Sequence, residues 1–233
     1  MEKRYQDQIE FVYPEIYVGR IFHDFARNAY ISQFMNTDCD MIWFLDSDIV
    51  PSERVLELVV NHGDKWDLAG APYPVWMTQN GYDGPQVTFC VYKRPDPTKG
   101  MQPAEIPESG TDFVDGIATG CIFIKRSVIE KMKKPYFKFS YNEETREMTE
   151  GEDLYFCKQA SELGIKFFID YSMVCHHFKK ISLLDVSNFL ENQKNMIIDT
   201  CDRNIRQIIT KKKLEQMEKA QAPKSRLILP GMK

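Results

Sequence analysis

Five consecutive apolar residues, Met41-Ile42-Trp43-Phe44-Leu45, run directly into Asp46-Ser47-Asp48. An unbroken apolar run of this length, closed by turn-forming residues, reads as a strand buried on both faces. Such a strand constrains the fold strongly: it needs covering layers on both sides of a sheet, and it delivers two carboxylates to the point where it ends. In open α/β sheets that edge is where ligands bind. Two acids at i and i+2 with little basic compensation nearby repel one another, and a hard divalent cation with oxygen ligands relieves the repulsion. The motif points to a metal held against a phosphate, with a plain turn or helix cap as the structural alternative.

The rest of the chain alternates strand and helix signals. Ile9, Phe11, Val12 and Tyr13 before Pro14 predict a short strand; Ile21, Phe22, Phe25, Ala29 and Phe34 then recur at helical spacing up to Asn36. After the acidic turn, Pro51 and Glu53 suit a first helical turn, Val55, Leu56, Leu58 and Val59 supply an apolar face, and Gly63 supplies a stop. Residues 67–71 read as a strand broken by Pro72-Tyr73-Pro74, residues 87–92 and 117–124 as two more, and residues 126–132 as a short helix. The polar stretches 93–112 and 140–149 have no period and read as loops, a class of segment that often carries function. A further helix begins at Glu152-Asp153, carries Leu154, Phe156, Cys157, Ala160 and Leu163, and stops at Gly164. Residues 165–169 form the last strand, which leads to His176-His177. Over 183–220 the spacing is helical again, with Phe189, Met196, Ile197, Ile205, Ile208 and Ile209 as an imperfect stripe.

A chain of 233 residues with 43% hydrophobic content can bury one sizeable core. We expect an α/β domain over residues 1–182 and a C-terminal helical extension with a basic tail over 183–233. From Asp202 onward there are nine Lys/Arg and three Asp/Glu, so the tail carries +6 of a net charge of −4 and the remainder −10. Such a tail either touches phosphates or presents a solvated helix face, whereas the acidic body offers no broad basic track for nucleic acid. No apolar stretch reaches the roughly 20 residues that span a bilayer. Met1-Glu2-Lys3-Arg4 is too polar to open a signal peptide, so a soluble, cytoplasmic protein is expected. The six cysteines lack Cys-x-x-Cys spacing and sit mostly in apolar segments, which fits reduced core thiols.

Four polar groups come from segments expected near one edge of the sheet: Arg27-Asn28, Asp46 with Asp48, Glu152-Asp153, and His176-His177. Each has a dull explanation by itself. Acids at a helix start favour the macrodipole, a histidine pair is weak evidence for ligation, and an arginine in a helix is commonly a surface charge. Their joint occurrence in this order carries the functional reading.

The ordered set Ala26-Arg27-Asn28, Asp46-Ser47-Asp48 with Pro51, Gly70-Ala71-Pro72-Tyr73, Thr119-Gly120-Cys121, Gly151-Glu152-Asp153 with Phe156, Gly164 and a histidine after the last strand resembles the nucleotide-sugar glycosyltransferases of the GT-A fold, especially inverting family-2-like members. The likeness spans residues 20–180. It implies a GT-A-like (Rossmann-like) mixed sheet flanked by helices, and transfer of a sugar from a nucleoside-diphosphate sugar, a UDP-sugar being favoured, to an acceptor hydroxyl that the sequence does not identify. In that pattern Asp48 and His177, with Asp46 assisting through the donor ribose or the metal, hold Mn²⁺ or Mg²⁺ on the donor diphosphate, where the cation neutralises charge on the leaving group. His177 is preferred to His176 because it lies seven residues beyond Asp170. Asp153 is the expected general base, with Glu152 contacting the acceptor or orienting Asp153. Arg27 is a phosphate or sugar contact, or a tie between helix and sheet. Ala118, Thr119 and Gly120 bring backbone close to the sugar, and Tyr73 and Trp76 form an apolar wall or simply core.

The departure from the family is at the front, where the first strand-helix unit that builds the nucleoside pocket has no counterpart before Ala26. A minimal enzyme, completion by another chain or a homo-oligomer through the N-terminal edge or the C-terminal helices, and a non-catalytic remnant that binds a sugar nucleotide or a partner are all consistent with that departure. A haloacid-dehalogenase-like phosphohydrolase is a further alternative, since Asp46-Ser47-Asp48-Ile49-Val50 also fits a nucleophile motif with Asp46 as nucleophile and Asp48 as acid/base. Pro51 and the lack of convincing later Lys and paired-Asp motifs count against it.

Overall fold

The computed structural model describes residues 2–14, 22–77, 86–96, 100–180, 186–187 and 190–191. The chain divides into two compact units, Met1–Gly81 with Pro85–Lys179, and Tyr82–Gly84 with Lys180–Lys233. Nearly all of the second unit, including the helical stripe and basic tail expected over 183–233, lies outside the described residues. Among the described residues no helix is long and apolar enough to cross a membrane.

The first unit is a mixed α/β structure built on a five-stranded sheet. In spatial order its strands are Met41–Leu45, Cys121–Lys125, Leu68–Gly70, Phe167–Asp170 and Thr111–Val114. Cys121–Lys125 runs antiparallel to both its neighbours, Leu68–Gly70 and Phe167–Asp170 are parallel, and Thr111–Val114 closes the sheet antiparallel. Three strands, Met41–Leu45, Leu68–Gly70 and Phe167–Asp170, therefore point the same way. The register sets Leu45 opposite Cys121, and Gly70 opposite Ile122 and Ile169. The segments that follow these strands consequently leave the sheet at one edge, beside Ala118, Thr119 and Gly120.

Both faces of the sheet are covered, but Met41–Leu45 lies at its edge and is not the fully buried strand that the apolar run predicts: Phe44 alone is buried, residues 41–43 are half-buried and Leu45 is 41% exposed. Trp43 and Phe44 point to opposite faces because side chains alternate along a strand. Trp43 stacks on its register partner Phe123 at 5.0 Å, and Phe123 also meets Trp66. On the other face Phe44 meets Phe137 edge-on at 5.9 Å, and Phe137 stacks on Phe156 of the Glu152–Glu162 helix at 4.7 Å. That helix buries Phe156, Cys157 and Ala160. Each fully buried phenylalanine contributes roughly 1.5–3 kcal/mol. A one-residue slip of Met41–Leu45 would exchange Trp43 and Phe44 between two unlike layers, so the register is strongly specified.

Several expected elements differ in form. Residues 9–13 make no strand, and a short helix, Glu2–Tyr5, precedes them; Ile9 and Phe11 pack against the core while Val12 and Tyr13 are 57% and 69% exposed. The helix after Pro51 is reduced to Glu57–Val60, because the preceding residues turn through i→i−3 bonds such as Val55 N–H to Ser52 and Leu58 N–H to Val55; the apolar residues Val55, Leu56 and Leu58 are nonetheless buried. The 117–124 run breaks at residues 118–120, leaving Gly116–Ile117 and Cys121–Lys125 in different sheets. The 87–92 run breaks likewise into Gln86–Phe89, paired with Pro74–Met77, and Val91–Lys93, paired with Gly116–Ile117 and Gln102–Pro103. Gln102–Pro103 and the start of Thr111–Val114 thus lie inside the stretch expected to be loop. The other expected loop, 140–149, is a hairpin of Ser140–Tyr141 with Met148–Glu150, turned by Asn142 Oδ1, which accepts from Glu144 and Thr145 N–H. Neither strand of the hairpin buries a face, so it shows no alternation. Helix His23–Met35 buries Arg27, Ile31 and Phe34, whereas Phe22 and Phe25 of the expected apolar face are exposed. Of the five described cysteines all are free thiols, and four are buried.

Candidate functional site

Asp46 is the first residue past its strand, and its N–H donates to the Gly120 carbonyl at 2.9 Å. Its carboxylate turns toward helix His23–Met35, where Arg27 Nη2 donates to both oxygens at 3.0 and 3.1 Å. The other arm of the same guanidinium, Nη1, donates to Glu152 Oε1 at 2.6 Å. Arg27 is only 6% exposed and Glu152 8%. This arginine therefore ties helix His23–Met35 and the N-terminus of helix Glu152–Glu162 to the acidic turn. Of the two roles the sequence allowed Arg27, the geometry matches the tie. Glu152 is turned inward, with His23 Nδ1 as a second neighbour at 3.6 Å. Asn28 is a strut: its amide donates to the Asp24 and Phe137 carbonyls and accepts from Tyr136 and Phe137 N–H.

Asp48 meets a different set of groups. Beyond Phe167–Asp170 the chain doubles back, so that His177 pairs with Ile49 and Phe178 N–H donates to the Asp48 carbonyl at 2.8 Å. That pairing sets His177 Nε2 3.4 Å from Asp48 Oδ2, while Lys179 Nζ donates to the same oxygen at 2.5 Å. A carbonyl only accepts, so the 2.7 Å contact of His177 Nδ1 with Pro74 O fixes the proton on Nδ1. Nε2 is thereby turned to the carboxylate: protonated, it pairs with Asp48 as an ion, and neutral, it presents a lone pair, the state in which metal-ligating histidines are held. Partial burial acts to raise the Asp48 carboxyl; the hydrogen bond and charge of Lys179, with His177, outweigh it and hold the group below the usual carboxylate range. His176 is exposed.

Asp153 sits next to Glu152 at the start of the helix, half-buried, with Oδ1 accepting from Leu154 N–H at 2.8 Å. Burial first, and then the neighbouring Glu152 charge, push its carboxyl above the ordinary value. A carboxyl raised in this way is shifted in the direction that suits a general base. Asp46 and Asp153 both lie within electrostatic reach of the Tyr73 phenol, which burial holds far above its usual value. Tyr73 is 5% exposed, accepts the Gly120 N–H at 3.0 Å and sets its ring edge-on to His177 at 5.2 Å.

Gly120 is indispensable for an internal reason. A Cβ there would stand 2.6 Å from Tyr73 Oη and 3.2 Å from Asp46 Oδ2. The room made by its missing side chain is filled by Tyr73. Ala118 and Thr119 are buried at 8% and 1%, and Thr119 Oγ1 has no hydrogen-bond partner among the described residues. The Trp76 side chain lies outside the described residues.

The structure thus gathers the expected charged groups and His177 into two clusters. Asp46, Arg27 and Glu152 form one, next to Asp153; Asp48 and His177 form the other, with Lys179. Among the described residues no three of the His, Cys, Asp and Glu side chains converge as a ready-made metal cage. The donor set at Asp48 and His177 suits a Mn²⁺ or Mg²⁺ ion, since the hard carboxylate oxygen and the oriented imidazole face one another across 3.4 Å. Asp46 would join them only by leaving Arg27. Sequence reasoning missed Lys179 and the Tyr73 strut. Lys179, two residues beyond His177, was legible only as one basic residue in Lys179-Lys180.

No protein-family model and no curated protein matches this chain. Among solved structures, the chain is similar to one described as the crystal structure of A197 from STIV, with 24% sequence identity over 75% of each chain and a TM-score of 0.49.

Proposed function

We propose that this chain is a metal-dependent glycosyltransferase with a GT-A-like sheet, moving a sugar from a nucleoside-diphosphate sugar to an acceptor hydroxyl with inversion. The observation that carries the reading is the pairing of Asp48 with His177, whose Nδ1–H is given to Pro74 so that Nε2 is turned to the carboxylate. Lys179 holds the same Asp48 oxygen in the empty site, and the carboxylate and Nε2 are near enough for one divalent ion to bridge them in its place. Mn²⁺ or Mg²⁺ bound there would supply neutralisation of the charge that builds on the leaving diphosphate. Asp153 would take the proton of the acceptor hydroxyl, aided by the burial that keeps its carboxyl basic. The Glu152–Arg27–Asp46 ion pairs hold the base and the acidic turn in a fixed relation. Tyr73, through Gly120 and His177, fixes the backbone between them.

A second reading has its own observation. Arg27 and Lys179 already neutralise the two carboxylates, as expected of a remnant that binds a sugar nucleotide or a partner without turnover. Titrating UDP, GDP and their sugars into the full chain with and without Mn²⁺ separates the two. Donor hydrolysis or transfer that needs Mn²⁺ and is abolished by Asp153→Asn supports the enzyme. Metal-dependent nucleotide binding with no product supports the remnant, and an acyl-phosphate trapped on Asp46 defeats both in favour of a phosphohydrolase.

A further inference from the structure

We propose that Lys179 is a tethered cation: it holds Asp48 while the site is empty, gives way when a divalent ion binds, and then turns to the diphosphate. The inference rests on reading the site as one for a nucleoside diphosphate, and it assigns that site a residue which the acidic motif did not reveal.

Three observations lead to it. The first is that one oxygen serves two partners. Lys179 Nζ and His177 Nε2 lie 2.5 and 3.4 Å from the same atom, Asp48 Oδ2. An ion bound to that oxygen and to Nε2 would sit about 2.0–2.2 Å from each, within a few ångströms of the ammonium. A dication and an ammonium at such range repel strongly. The two cations therefore compete for Asp48.

The second is that the lysine is anchored at its root and free at its tip. The His177 to Ile49 pairing and the Phe178 N–H bond to the Asp48 carbonyl fix the two residues immediately before it. The side chain itself is 56% exposed, on a flexible four-carbon stem. It can leave Asp48 without disturbing the core, yet remains beside the ion.

The third is that an ammonium displaced toward a bound dication needs an anion, and the donor's diphosphate is the anion this site would bring. Arg27, the other basic group at the acidic turn, cannot make the same move, because it is 6% exposed and held by Glu152 and Asp46. Lys179 thus opposes the ion when the ion binds alone and favours the nucleotide once the ion is in place. Metal and diphosphate binding become coupled through one side chain.

The test is Lys179→Met in the full chain, with Lys179→Arg as the variant that keeps the charge. Mn²⁺ alone is followed by the loss of its free-ion paramagnetic resonance signal, and UDP in excess Mn²⁺ by calorimetry. We expect Lys179→Met to bind Mn²⁺ alone roughly 5- to 20-fold more tightly and UDP with Mn²⁺ roughly 5- to 20-fold more weakly, with Lys179→Arg between it and the wild type in both. Opposite signs are the signature, since general damage to the site would weaken both. Unchanged or weaker Mn²⁺ binding by Lys179→Met, in a variant with an unaltered melting temperature, overturns the inference while leaving the metal site standing. If neither wild type nor variant retains Mn²⁺, with UDP or without it, the glycosyltransferase reading fails and the role of Lys179 fails with it.

Discussion

Replacing Arg27 by methionine should damage the fold far more than a surface arginine would, and the structure sets the size. The guanidinium is 6% exposed and donates at 2.6 Å to Glu152, whose side chain keeps 11% of its accessibility. The remaining neighbour of Glu152, His23, is 3.6 Å away on a side chain 73% exposed, and makes a poor substitute. Removing one partner of a buried pair costs about 3–5 kcal/mol, because it strands the other charge. The Asp46 arm adds little, at about 0–1 kcal/mol, since that carboxylate is 39% accessible and water replaces the arginine. Contact of the guanidinium with the Phe137 ring at 5.7 Å is partly kept by the methionine. We expect a loss of about 4 kcal/mol, a large share of the 5–15 kcal/mol typical of a domain. In Arg27→Met/Glu152→Gln no buried charge is stranded, and the loss should fall to about 1–2 kcal/mol, the cost of an imperfectly paired amide. Urea unfolding of the wild type, both single variants and the double variant, followed by the fluorescence of Trp43 and Trp66 in the sheet unit, measures the coupling. A single variant within about 1 kcal/mol of wild type, or a double variant as unstable as Arg27→Met, refutes the reasoning.

Two further predictions concern the neighbouring residues. Gly120→Ala would press a methyl group 2.6 Å from Tyr73 Oη and 2.9 Å from Cζ, so it should cost about 1–3 kcal/mol in overpacking; Tyr73→Phe in the same chain should recover part of this, and a urea midpoint unchanged by Gly120→Ala contradicts the packing. Asp153→Asn should stabilise the fold at neutral pH, because burial and then Glu152 raise the folded-state carboxyl above its unfolded value, and it should abolish turnover if the proposed glycosyltransferase reading holds. Below the unfolded value both states are protonated and the variant gains nothing; as pH rises through the window up to the raised folded value the wild type loses stability, and above it the full difference persists. A stability gain that is flat with pH, or largest in acid, would count against that sign.

The strand 41–45 was legible because five apolar residues closed by a turn are a local signal, though its edge position, which leaves it half-buried, was not; the helix from Glu152 was legible because its apolar period and Gly164 stop are local. The broken runs at 90 and 118–120 were not legible. Strand pairing with distant partners decides where such runs change sheets, and the mostly apolar residues on both sides of each break give no local sign of it. The hairpin at 140–150 was hidden for the opposite reason: it buries no face, so nothing in its pattern marks it as paired. Arg27 reads in the chain as one charge on a helix, and only burial beside two acids from residues 46 and 152 makes it a tie.

By itself the sequence determined that a strand must end in Asp46-Ser47-Asp48 and that an acidic helix start and a histidine pair follow in order, because these are properties of neighbouring residues. The tertiary structure decided which group each acid meets. Antiparallel pairing of residues 176–177 with 49–50 carries Lys179 onto Asp48 across 131 residues of chain, and helix His23–Met35 brings Arg27 to Asp46 and Glu152. Charge partners are chosen by through-space distance and by burial, and neither is written in the spacing of the motifs.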